Sequence, residues 1–148
     1  MNRLLSASAL SLALVGAGFT ATAAEAASAH VVRPNAQGGT TASSVGARQG
    51  ANGGTAVRAG RTSTAADGSV QHASGLSAQS AKGSVQSSGT ASRDASGNVT
   101  QARSSTATSA ATGNTVKTTS GYSPATGATH SASCYNTSGA SIACPTRP

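Results

Sequence analysis

Beyond position 29, few residues have chemistry of their own: Cys134 and Cys144, His30, His72 and His130, and the carboxylates Asp67 and Asp94. The cysteines are the only two in the chain, and ten positions separate them. Zinc sites use closer cysteine spacing, and no fourth ligand accompanies a Cys134, Cys144 and His130 set. In an oxidising compartment such a pair forms a disulfide. A loop over Ser138-Gly139-Ala140 sets Cys134 across a hairpin from Cys144, Tyr135 opposite Ala143 and Asn136 opposite Ile142. Asp67 and Asp94 both sit in apparent turns, where Asp serves backbone geometry. The histidines are isolated along the sequence. No serine lies in a Gly-x-Ser-x-Gly elbow, and no phosphate-binding glycine loop occurs. No catalytic residue, metal site, cofactor or small-molecule substrate is therefore expected.

These residues need elements to position them, and the N-terminus says where the chain works. Arg3 precedes an apolar run, Leu4 to Phe19, that no charge interrupts. About 20 apolar residues are needed to cross a bilayer, and this run is shorter. Small residues come next: Ala24-Glu25-Ala26 and Ala27-Ser28-Ala29 both suit signal peptidase. Residues 1–29 read as a helical signal peptide cut after Ala26 or Ala29, the second slightly preferred. The membrane is met only through that segment, and the mature chain is expected in the periplasm or outside the cell.

Composition limits the folds open to the mature chain. The full sequence has 148 residues and a net charge of +7 from ten basic and three acidic residues. Removing Arg3 and Glu25 leaves +7. Roughly two-thirds of the chain is Ala, Ser, Gly and Thr, Trp is absent, and the one Phe lies in the signal segment. Such a chain has no sizeable hydrophobic core, and the expectation is a low-complexity chain, largely disordered or all-β. Except for Arg58 and Arg61, the basic residues of the mature chain stand ten or more apart, beyond the ~8 Å Debye length in an extended chain. Two tyrosines cannot furnish the stacking platforms of a single-strand binder, and no sequence-specific nucleic-acid contact is expected.

Residues 30–60 read as a flexible Gly-rich arm, because no strand or helix period persists there. Residues 61–128 carry a degenerate repeat in which a turn former and Gly precede a β-branched residue. Its instances are Asp67-Gly68-Ser69-Val70, Lys82-Gly83-Ser84-Val85, Ser96-Gly97-Asn98-Val99 and Thr112-Gly113-Asn114-Thr115-Val116. The valines lie 15, 14 and 17 apart. This pattern predicts loose antiparallel hairpins or a meander. Asp67, Gly68, Gly83, Asp94, Gly97, Asn98, Gly113, Asn114 and Gly139 are the expected turn residues. In Val116–Tyr122 the even positions share a face. Residues 129–148 form the disulfide-closed hairpin and tail, with Pro145 and Pro148 ending the strand.

The segment Asp94-Ala-Ser-Gly97-Asn98-Val99-Thr100 resembles the turn-and-strand core of the tyrosine–aspartate repeats of large bacterial surface and toxin-delivery proteins. The likeness covers seven residues, and Arg93 stands where those repeats have Tyr. It implies shared turn chemistry.

The functional expectation is an exported, non-enzymatic envelope or extracellular protein acting as spacer, matrix or surface-associated factor. The alternatives are a weak binding module for anionic glycan through Thr/Ser rows and Arg, and a self-assembling β-fibre subunit. Partners would be anionic envelope polysaccharide or other surface polymers, met without specificity.

Overall fold

A computed structural model describes residues 26–50 and 52–144. Residues 1–25 of the expected signal helix and the proline-terminated tail lie outside these residues; residues 26–29, the end of that expected segment, are extended strand and not helix. The described chain is all-β. Nine strands form one antiparallel sheet in sequence order: β1 (Ala26–Pro34), β2 (Thr40–Gln49), β3 (Thr55–Thr64), β4 (Val70–Ser80), β5 (Gly83–Arg93), β6 (Val99–Ser109), β7 (Thr115–Ser123), β8 (Gly127–Tyr135) and β9 (Ser141–Ile142). Among the described residues each strand touches only its sequence neighbours, so these strands form a sheet one layer thick whose two edges have no partner among them.

The glycines dictate the turns. Gly38, Gly53, Gly68, Gly97 and Gly139 each end a three-residue loop at φ between 72° and 89°, a left-handed conformation that costs other L-residues about 1–2 kcal/mol. In each, the glycine N–H donates to the carbonyl three residues back, at 3.0–3.3 Å. This is the three-residue hairpin loop with a left-handed last residue. Side chains complete several turns. Asn35 Oδ1 accepts from the Gln37 and Gly39 amides, and Asp94 Oδ1 and Oδ2 accept from the Asn98 amide and Nδ2.

Loop length also decides which side chains share a face. A three-residue loop pairs residues of like parity; loops of two or four pair residues of unlike parity. Only Ala81-Lys82 and 110–113 belong to the second kind. Val70, Val85, Val99 and Val116 therefore stand on one face. Their spacing is odd across the parity-switching loops and even across 95–97. The unequal spacing of the repeat is what keeps its valines together. Each repeat is one long strand plus one turn.

The segment expected to be a flexible arm instead contains the last five residues of β1, all of β2 and most of β3. An apolar period of two arises only when one face of a strand is buried. Every residue of β1 is exposed, and no residue of β2 or β3 is buried. Such strands need carry no such period. Cys134, 3% exposed, is the only buried hydrophobic residue among those described. Leu76, Val85 and Val57 are each 39% exposed. Cohesion rests on ladder hydrogen bonds, at about 0.5–1.5 kcal/mol net each, and on cross-strand side-chain pairs.

The disulfide joins Cys134 to Cys144, as expected of an exported pair. The hairpin register differs from expectation. Cys134 pairs with Ile142 and Tyr135 with Ser141, because the loop is Thr137-Ser138-Gly139 and Asn136 opposes Ala140. Asn136 Oδ1 accepts from the Ser138 and Ala140 amides and from the Ser138 hydroxyl. That side-chain network fixes the turn one residue earlier than Ser138-Gly139-Ala140.

Candidate functional site

The two faces differ in chemistry from β4 onward. One carries Val70, Leu76, Val85, Val99, Val116, Tyr122 and Ile142; we call it the mixed face. The opposite face is a hydroxyl array with no large aliphatic side chain over β4–β9. Its cross-strand hydroxyls bond to one another: Ser92 to Thr100 at 2.7 Å, Thr108 to Thr115 at 3.0 Å and Thr119 to Ser131 at 2.7 Å. The Thr pairs of the sequence split: Thr62 and Thr64 lie on the mixed face, Thr106 and Thr108 on the hydroxyl face.

At one end of the mixed face, Ala56, Ala78, Val85, Ala107, Val116, Cys134 and Ile142 form a single cross-strand row. Cys134, next to the end of that row, is buried and forms the disulfide with Cys144.

Nearer the middle, the mixed face holds a shallow groove of about 280 Å³. Its floor is Gly89 and Ala91 on β5. His72 and Ser74 on β4 line one side, Gln101 and Arg103 on β6 the other, and Tyr122 on β7 stands beyond. Two of these side chains are held before any ligand arrives. The His72 Nδ1 shares a hydrogen bond with the Thr62 hydroxyl at 2.8 Å, and Arg103 Nη1 donates to the Ser87 hydroxyl at 3.3 Å. A Cβ at the neighbouring glycines would meet both side chains in ordinary van der Waals contact. A Cβ on Gly89 would lie 3.6 Å from Arg103 Nε, and one on Gly60 3.8 Å from His72 Cε1. Gly46 sits in the same relation to Arg58, with which it pairs directly.

The electrostatics are one-sided. Among the described residues the carboxylates are Asp67 and Asp94, and both lie in turns at one end of the sheet. The Ser69 hydroxyl and then its amide hold Asp67 below the usual carboxylate range; the Asn98 side chain and then its amide do the same for Asp94. Neither side chain meets the groove. The mixed face carries Arg48, Arg58, Arg93 and Arg103, while Arg33, Arg61 and Lys117 lie on the other. Arg58 and Arg61, the closest basic pair in the mature sequence, thus point to opposite faces. Lys117 rests over the Tyr135 ring at 5.1 Å.

The other sequence-expected residues fall at turns or strand starts. Gly68, Gly83, Gly97, Gly113 and Gly139 all have positive φ, and the Asn114 carbonyl accepts from the Ser109 amide. Sequence reasoning missed the grouping of His72, Gln101, Arg103 and Tyr122. They span about fifty positions, and only their common face within neighbouring strands marks them. No family model, curated protein or solved structure matches this chain.

Proposed function

We propose that this chain is an exported, non-enzymatic, surface-associated protein that lies with its mixed face against anionic envelope polysaccharide and turns its hydroxyl face to water. One observation carries the reading: a one-layer sheet with a preorganised Arg103–His72 groove and no described carboxylate on the groove face. A guanidinium held in place loses less freedom on meeting a carboxylate or phosphate. The glycine floor lets a flat sugar ring approach the backbone. The disulfide agrees with an oxidising, exported location.

The test is co-sedimentation of the oxidised mature protein with an acidic polysaccharide, polygalacturonate, and with neutral dextran, across a salt series. Binding to the acidic polymer that weakens steeply with salt, and weakens further in R103Q, supports the reading. Equal binding to both polymers, or none to either, sinks it. Mass and N-terminal sequence of the protein from periplasm and culture supernatant test the export half.

A further inference from the structure

We propose that copies of this chain join edge to edge, β1 of one copy adding to β8 of the next, so that the sheet continues from molecule to molecule. The free edges of the sheet carry this inference, and it does not rest on the polysaccharide reading. An edge strand with unpaired N–H and C=O groups is a template for another strand. All nine residues of β1 are exposed, and its outer side pairs with none of the described residues. At the far side, β9 covers only Cys134 and Tyr135, which leaves residues 127–133 of β8 without an outer neighbour among the described residues.

The two edges suit each other. In an antiparallel meander, strands separated by an odd number of steps run oppositely, so β1 and β8 are antiparallel. A simple translation brings β8 beside β1 of the next copy in the same sense as every internal pair. Seven free residues of β8 face eight of β1 in a mature chain starting at Ala27 and five in one starting at His30. The usual protections are sparse. β8 holds no Lys, Arg, Asp, Glu or Pro, and on β1 only Arg33 and Pro34, beside the turn, are of that kind. The net positive charge, which opposes association of the whole chain, is therefore thin at the seam. A head-to-tail contact of this kind does not close on itself, so it yields an extending ribbon. The disulfide pins β9 at one end of the acceptor edge and leaves the remainder open.

Analytical ultracentrifugation and electron microscopy of the oxidised mature chain over a concentration series test this. The expected result is ribbons that lengthen with concentration. Lysines on the acceptor edge, A128K with A132K, should raise the onset concentration about tenfold or more, the equivalent of about 1.4 kcal/mol. A peptide of residues 27–34 should compete, and a scrambled peptide should not. Benzoylphenylalanine in place of Ala128 should cross-link to residues 27–34 of another copy. A monomer at millimolar concentration overturns the proposal. So do cross-links to face residues such as Leu76 and Val85, which would mean stacking. If the lysine variant does not fold, the peptide competition and the cross-link sites decide.

Discussion

Opening the Cys134–Cys144 disulfide tests how this sheet holds together. The bond closes a loop of sequence separation 10. Loop-closure entropy at that length corresponds to about 2.7 kcal/mol at 25 °C. Strand β9 has only two ladder pairs, to Cys134 and Tyr135, so little else retains it. In C134S/C144S, opening of the last hairpin should become roughly a hundredfold more frequent, since each 1.4 kcal/mol is about tenfold. The assay is amide hydrogen exchange read by NMR, run below the onset of any association. Amides of Cys134 or its replacement, Tyr135, Ser141 and Ile142 should lose about two decades of protection. Amides in β4, β5 and β6 should stay within about threefold. Strands that touch only their sequence neighbours transmit stability only through the next interface. Equal loss of protection in β4–β6 would refute this reasoning, because it would show that the buried Cys134 organises the whole sheet.

Other perturbations probe the turns and the ends. In G39A the new Cβ would run into the Thr64 carbonyl, forcing apart two turns joined by Asn35 Nδ2 to Thr64 O at 2.8 Å; a loss of about 1–3 kcal/mol, seen as earlier melting of β1–β3, is expected. N136A removes the acceptor for two amides and a hydroxyl; exchange at Ser138 and Ala140 should rise by about tenfold per 1.4 kcal/mol lost, with about 1 kcal/mol per bond. Asp67 and Asp94 are held below the ordinary carboxylate value of 3.8. Their contribution is thus fully present above that value and fades as pH falls through the lowered ones, so the protection of the Ser69 and Asn98 amides, taken relative to the unstructured exchange rate at the same pH, should fall only in strong acid and hold between about pH 5 and 8. The two candidate signal cuts fall inside or beside β1: mature chains starting at Ala27 keep eight of the nine β1–β2 pairs, those starting at His30 keep five. The longer form should show greater exchange protection in β1.

The sequence by itself determined the local chemistry. A glycine after a small polar loop demands a left-handed turn, and Gly68, Gly97 and Gly139 could be read as such because the demand is local. The pairing of Cys134 with Cys144 was legible for the same reason, as was the alternation in Val116–Tyr122. Tertiary structure decided what depends on counting across several turns. Whether Val70 and Val85 share a face turns on a single residue in the loop between them. A two-residue change of register at the Asn136 turn moved the partner of Cys134 from Cys144 to Ile142. β1–β3 left no hydrophobic period, because a one-layer sheet wets both faces, and so they read as a loose arm. The groove shows the limit most clearly. His72, Arg103 and Tyr122 are isolated along the chain and meet only because the summed loop lengths return them to one face near one row.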